Sequence, residues 1–294
     1  MTVFINDMPL TVQSMCHIFA DDTKILNAAK QKSTIQSDIN KLQEWSETWC
    51  LSFNASKCHV LHMGKKNPIH EYEMKLGDKL QKIERCKEEK DLGVTFDENL
   101  KFDSHINRIV NKANQMLGML KRAFTSFDRD SFTKLYKSIV RPHLEYANTI
   151  WSPANQKRQS ILIERVQRRA TKLLKECRSR SYYDRLKYLN LHSLKGRRLR
   201  GDLIQMFKIF HGYDDINMHD LFCSTPVNIT RNSEGKLFVK HANSNKRKYS
   251  FSFRVVNPWN ALPSSVKFSK TVNEFKNQID KLPQLENELY GFDE

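Results

Sequence analysis

The sequence predicts an α+β chain, with short strands and one helix in the first hundred residues and a mainly helical remainder. Three observations carry that prediction. Short apolar runs bounded by turn-forming residues dominate residues 15–97, the signature of strands. From Asp103 the apolar spacing changes to the three-and-four rhythm of helices. Only 9 Gly and 8 Pro occur in 294 residues, beside many Lys, Arg, Leu and Gln, which favour helix. A chain of this length has room for one large or two ordinary domains. Its 39% hydrophobic content and 17 Phe exclude wholesale disorder.

The elements follow in order. "MCHIFA" (15–20) and "TKIL" (23–26) are short apolar runs flanking two acids, Asp21 and Asp22. "STIQSDINKLQEWSETWC" (33–50) places Ile35, Ile39, Leu42, Trp45 and Trp49 at helical spacing, and Ser33 with Gln36 matches a capping box. "KCHVLHMG" (57–64) is strand-like. "EYEMKLG" and "KLQKIE", joined at Gly77-Asp78, read as a hairpin. "DLGVTFD" (91–97) reads as a further strand, ended by the turn-prone "DEN".

Ile106, Ile109, Val110, Ala113, Met116, Leu117 and Leu120 then form one stripe of a long helix. "DRDSFTKLYKSIV" (128–140) starts a second, stopped before Pro142. Ile163, Val166, Ala170, Leu173 and Leu174 line a third. "LKGRRLRGDLIQMFKIFHG" (194–212) is a fourth, with Gly212 as its cap. In the last eighty residues "KLFVKH" and "KYSFSFRVV" suit strands and "TVNEFKNQIDKL" a short helix, before an acidic tail. These shifts set expected domains at 1–102, 103–215 and 216–294.

Charge is localised. Of the net +16, residues 157–200 contribute +12, from 15 Lys and Arg against Glu164, Glu176 and Asp184. Residues 236–254 add six basic side chains and no acid. Concentration of this kind suits a polyanion-binding surface, with solvated helix faces as the plainer alternative. Tyr182, Tyr183 and Tyr188 lie within the basic tract and suit either base stacking or the core.

Several classes fall away. No apolar run approaches the ~18 residues that span a bilayer. "MTVFINDMPL" has no basic leader segment, so a nuclear or cytoplasmic rather than secreted protein is expected. The six cysteines show no C-x-x-C pair, which suits reduced thiols. Cys58, His59 and His62 alternate along a predicted strand and face apart, a poor zinc set. No phosphate-cradling glycine loop or serine-hydrolase elbow occurs.

Asp21 and Asp22 allow two readings. Adjacent acids at a hairpin turn project together over a sheet edge, offering hard oxygen ligands to Mg²⁺, and paired ions of that kind serve in-line phosphoryl transfer. Alternatively, one of them caps a helix beginning "TKILNAAK". Asp214-Asp215, the chain's other Asp-Asp pair, has polar flanks and reads as a turn after a helix.

The order of segments resembles one family. "FADD" (19–22) matches the aromatic-x-Asp-Asp motif of reverse transcriptases. "FINDMP" (4–9) resembles the block preceding that motif in jockey-like non-LTR retrotransposon polymerases. "WCLSFNASKCHVLHMG" (49–64) resembles motif D, and "KDLGVTFDENLKFDSHI" (90–106) the primer-grip region. "YKSIVRPHLEYANTIW" (136–151) and "RRLRGDLIQMFKIFHG" (197–212) resemble thumb and C-terminal blocks, and "VVNPWNALPSSV" (255–266) a block near the family's end.

The resemblance implies a partial polymerase palm over 1–102, with an antiparallel sheet, an acid hairpin and one packed helix. A basic helical thumb over 103–215 and a mixed region over 216–294 follow. Asp21 becomes the direct ligand of catalytic Mg²⁺ and Asp22 its support. Lys57 becomes the motif D proton donor, an ammonium on a short strand. Leu92, Gly93 and Val94 become the primer grip, with Gly93 admitting a sugar-phosphate backbone. Apart from the resemblance, the concentrated charge makes Arg165, Arg168, Arg169, Lys172, Arg197, Arg198 and Arg200 the candidate nucleic-acid contacts. The implied partners are an RNA template and a DNA primer.

The resemblance also departs from the family. Motif A, which supplies a third metal carboxylate, and motif B have no counterpart in the eighteen residues before Phe19, and Asp7 is not the motif A acid. The expectation is a truncated reverse transcriptase that is inactive as this chain alone, with another chain as one source of the missing palm. The alternative is a non-catalytic nucleic-acid-binding module built on helices 157–200.

Overall fold

A computed structural model describes residues 5–28, 31–64, 66–77, 79–154, 156–224, 235–283, 285 and 289. Phe4, Asp78 and most of the acidic tail, each used above, lie outside the described residues. The chain divides into two compact units, Met1–Lys101 and Phe102–Glu294.

In the first unit a 3₁₀ turn, Met8–Thr11, leads into β1 (Met15–Phe19) and β2 (Asp22–Leu26), an antiparallel hairpin. Helix α1 (Lys32–Thr48) follows, burying Ile39, Leu42 and Trp45. Trp49 lies just past the helix and is exposed. A 3₁₀ turn, Ala55–Lys57, precedes β3 (His59–Leu61), and β4 (Glu73–Leu76) with β5 (Lys79–Lys82) forms the expected hairpin. Next come β6 (Glu84–Cys86), β7 (Glu88–Asp91) and β8 (Val94–Asp97).

Three expectations are corrected in this unit. The described strands form four two-stranded ladders, of which β3–β6 is parallel, because the β4–β5 hairpin intervenes and returns the chain in the same direction. "DLGVTFD" is the second half of a β7–β8 hairpin, since Leu92 (φ 44°) and Gly93 (φ 84°) reverse the chain between Asp91 and Val94. The capping box does not form. Gln31 occupies the cap position, and Gln36 instead donates to the Glu73 carbonyl and accepts from the Glu73 N–H. That exchange fastens β4 to α1.

The second unit begins with α2 (Asp103–Ala123), whose buried face carries Ile106, Ile109, Val110, Ala113, Leu117 and Leu120. Helix α3 (Arg129–Leu135) is capped by the Asp128 carboxylate. It does not stop before Pro142 but loosens into a π turn, Tyr136–Val140, and then a 3₁₀ turn, Arg141–Leu144. Pro142 lies in the first turn of that 3₁₀ segment, where its missing N–H leaves no bond unmade. Then come α4 (Asn148–Trp151), α5 (Lys157–Thr171), α6 (Tyr182–Leu189) and α7 (Leu194–Phe210). Gly212 (φ 68°) closes α7 in a Schellman motif: its N–H donates to the Ile209 carbonyl and that of Tyr213 to Lys208. Asp214 and Asp215 lie in the bend beyond.

The remainder is helical too: α8 (Met218–Leu221), α9 (Asn245–Lys248), α10 (Phe251–Arg254), α11 (Val256–Asn260), α12 (Ser264–Lys267) and α13 (Val272–Ile279). "KYSFSFRVV" is therefore helix rather than strand, and "KLFVKH" contributes an isolated bridge, Leu237 to Ser224. Four-residue spacing puts Phe251, Val255 and Trp259 on one core-facing side, and Ser244 caps the first short turn. Leu203, Met206 and Phe207 of α7 share one core with Phe222, Val256, Trp259 and Phe275. The second unit is thus continuous through residues 215–216.

Candidate functional site

The acid pair sits on the β1–β2 hairpin, not at a helix start. Ala20 and Asp21 form the turn, and Asp22 opens β2 opposite Phe19. Ala20 has φ 55°, the sign both primed hairpin turns require at their first central residue. Register and alternation assign the faces. Ile18 and Ile25 look toward α1, where both join apolar clusters with Leu42, Trp45 or Ile39. Met15, His17 and Phe19 share the opposite face with Asp22 and Lys24, and Phe19 is 64% exposed. Asp21 and Asp22 are both exposed, and among the described residues neither is drawn into an ion pair.

Two contacts fix this hairpin. Asp38, on the inner face of α1, is fully buried and accepts the N–H groups of Gln13 (2.9 Å) and Ser14 (2.8 Å), immediately before β1. Burial pushes the Asp38 carboxyl up, but these donors and the Lys41 charge outweigh it and hold the group below the usual range. The second contact is an ion pair from Lys24 of β2 to Asp91, the last residue of β7. It ties the acid-bearing hairpin to the Leu92–Gly93 hairpin. Asp7 accepts from the Trp45 indole at 3.2 Å.

The other expected residues are dispersed. Lys57 is the exposed last residue of the 3₁₀ turn before β3 rather than sitting on a strand, because Asn54 initiates a tight turn through its carbonyl. Its neighbours Cys58 and Val60 pack with Ile25 on the α1 side. Leu92 and Gly93 form a turn, and Val94 is buried at 2% exposure, so its side chain belongs to the core. His62 is bonded to the His70 carbonyl and stacks on Tyr72.

The basic residues separate into two groups. Arg158, Arg165 and Arg169 of α5, with Lys172 just past its end, are exposed along one stripe at spacings of seven, four and three. Gln159 contacts Asp103, and Arg169 donates to Asn114 at 3.1 Å, so α5 runs parallel to α2. Arg168 lies over the Tyr182 ring at 4.4 Å, and Arg129 and Arg180 lie over Tyr188 at 4.8 and 4.3 Å. Those two rings are thereby engaged within the protein.

The α7 arginines are also turned inward. Arg197 pairs with Glu145, Arg200 binds Asp280 through two bonds of 2.6 and 2.8 Å, and Arg198 is buried and donates to Ser160. These three are corrected from surface contacts to packing and ion-pair residues. Residues 194, 198 and 202 share one side of α7, which carries them into the core.

Sequence reasoning missed Asp38 and Glu164, and both left a signal: an acid on the apolar stripe of a helix. Glu164 is fully buried and accepts from the Tyr182 hydroxyl and from the N–H groups of Leu194 and Lys195, which cap α7. Burial pushes its carboxyl up, against those donors and the nearby Arg198.

Among the described residues no three His, Cys, Asp or Glu side chains group as a metal site, and no helix is long and apolar enough to cross a membrane. No family model and no solved structure matches the chain. Two curated proteins do. The RNA-directed DNA polymerase from mobile element jockey of Drosophila melanogaster is 26% identical over 168 residues, 52% of this chain and 18% of that protein. Its Drosophila funebris counterpart is 28% identical over 148 residues, 46% and 15%. The matched stretch thus spans less than a fifth of either relative. About half of this chain is a reverse-transcriptase-like region, distantly similar to the RNA-directed DNA polymerases of jockey elements.

Proposed function

We propose that Met1–Lys101 forms the acid-hairpin part of a reverse-transcriptase palm and that the helices from α2 onward form its thumb and C-terminal region. The full-length activity would be RNA-templated DNA synthesis, with an RNA template and a DNA primer as partners. One observation carries the reading: Asp21 lies exposed in a tight turn and Asp22, next to it, opens the outward face of a hairpin whose other face is packed on α1.

Two exposed hard-oxygen donors with no competing ion pair among the described residues suit Mg²⁺, which binds through one or two carboxylates and leaves positions for water and phosphate. Asp21 would hold the ion directly and Asp22 would support it; when bound, Mg²⁺ neutralises and orients phosphate oxygens. The protein's own contribution is placement. Asp38 seats β1 on α1, and the Lys24–Asp91 pair ties in the Leu92–Gly93 turn, which would support the primer terminus. Lys57 is proposed as a proton donor from its exposed turn.

Among the described residues the hairpin offers two carboxylates where the family arrangement uses three, so polypeptide 1–294 by itself would fall short of catalysis. Each 1.36 kcal/mol of lost transition-state stabilisation is tenfold in rate. Purified 1–294 with an annealed RNA–DNA primer and Mg²⁺ should give no extension above an Asp21→Ala control. Extension that disappears in that control overturns the inactivity.

A second reading, a non-catalytic nucleic-acid-binding module, is favoured by the α5 stripe. Arg165, Arg169 and Lys172, with Arg158, present cations along one side of a helix about 22 Å long, which suits successive backbone phosphates.

A further inference from the structure

We propose that the cleft formed by residues 221–223, 238–240 and 252–253 is a binding site for single-stranded nucleic acid, separate from the α5 stripe and independent of the palm reading. The cleft is narrow and lined by Phe222, Phe238, Val239, Lys240 and Phe253, with Phe238 its exposed aromatic face and Phe222 buried beneath. Phe238 is 54% exposed and Val239 55% exposed, although they belong to a segment with abundant apolar core beside it.

Phe238 is not a loose loop residue. Its N–H donates to the Cys223 carbonyl at 2.8 Å, and the preceding Leu237 exchanges two 2.8 Å bonds with the Asn260 side chain. The backbone is clamped on both sides, so the ring's point of attachment is fixed before anything binds. Ordering that backbone on binding costs little entropy.

Charge and stacking chemistry surround the ring. Residues 236–254 carry six cations and no acid. Lys240 lines the cleft, and the Arg247 guanidinium lies over Phe253 at 5.3 Å, bringing α9 to the same rim. Exposed Lys246 and Lys248 flank Arg247. An aromatic face beside a run of cations is the arrangement that takes an unpaired base on the ring and its phosphates on the cations. A duplex keeps its base faces stacked and has nothing to lay on Phe238. An acidic peptide would use the cations but not the ring.

The test uses the full chain and a fluorescent twelve-nucleotide oligouridylate, with a duplex of equal length as comparison, read by anisotropy. Phe238→Ala should weaken oligouridylate about 5- to 100-fold and leave duplex affinity unchanged, while Phe238→Trp restores it. Lys240→Glu with Arg247→Glu should reduce both affinity and its salt slope for the single strand. Melting curves verify folding, and an exposed ring leaves little to destabilise. The proposal is overturned if Phe238→Ala binds oligouridylate like wild type. It is overturned equally if Arg165→Glu with Arg169→Glu removes single-strand binding while the cleft variants do not, or if an oligoglutamate of equal charge competes as well as unlabelled oligouridylate.

Discussion

Asp38→Asn should release the acid hairpin while leaving the second unit intact. The Asp38 carboxylate accepts two backbone N–H groups, from Gln13 at 2.9 Å and Ser14 at 2.8 Å, with no exposure to water. An amide side chain offers one oxygen, so one N–H would face an NH₂ group, donor against donor. Hydrogen bonds to charged groups contribute about 1.5–3 kcal/mol each, and the orphaned donor adds its desolvation cost, giving about 2–4 kcal/mol. Hydrogen exchange over Met15–Leu26 reads this directly, because local opening sets the exchange rate. The expected acceleration is about 30- to 700-fold, with the α2 and α7 amides unchanged. The pH dependence supplies a second check. The folded carboxyl titrates below its unfolded value of about 3.9, so its stabilisation is complete above that value and is lost as pH falls through the lower, folded one. The wild-type hairpin should therefore lose protection in acid more steeply than Asp38→Asn. Hairpin exchange within about twofold of wild type at neutral pH would refute this role.

Other outcomes follow from single positions. Ala20→Gly relieves a left-handed φ of 55° and should slow hairpin exchange, a gain of about 1 kcal/mol. Gly196→Ala should destabilise although alanine favours helix, because its Cβ would lie 2.4 Å from the Leu289 carbonyl oxygen. A lowered Tm with faster proteolysis near Leu289 is the expected readout. Glu164 titrates above its unfolded value, so stability should decline as pH rises from about 4.3 through the folded value, and Glu164→Gln should flatten that slope in urea titrations. Arg165→Glu, Arg169→Glu and Lys172→Glu together should cut the salt slope of duplex binding by about three; an unchanged slope places duplex binding elsewhere.

Much of the fold was legible because it rests on local pattern. The α2 stripe from Ile106 to Leu120 repeats over about four turns, and only a helix buries all of it. The β1–β2 hairpin was legible as apolar runs on either side of two acids that a strand interior would not hold together. The failures are places where a tertiary partner decided. Gln36 suits a capping box, but the backbone of Glu73 offered it both a donor and an acceptor. Leu92 takes a positive φ uncommon for a branched side chain, so a turn was hidden inside an apparent strand. Arg198 counts as surface charge by composition, whereas its place four residues from both Leu194 and Asp202 turns it inward. "SFSF" alternates like a strand, yet Arg254 must reach Asp202 and the Thr149 carbonyl, and the helical spacing of Phe251, Val255 and Trp259 permits that.

Paramagnetic line broadening by Mn²⁺, a hard cation that substitutes for Mg²⁺ at oxygen ligands, tests the acid turn most directly. In the full chain, substoichiometric Mn²⁺ should broaden the amide resonances of Ala20, Asp21, Asp22 and Thr23 before any others, and Asp21→Asn should abolish the effect without shifting Ile18 or Ile25. Broadening that begins elsewhere, or that persists at the turn in Asp21→Asn, would contradict a metal-holding role for this hairpin.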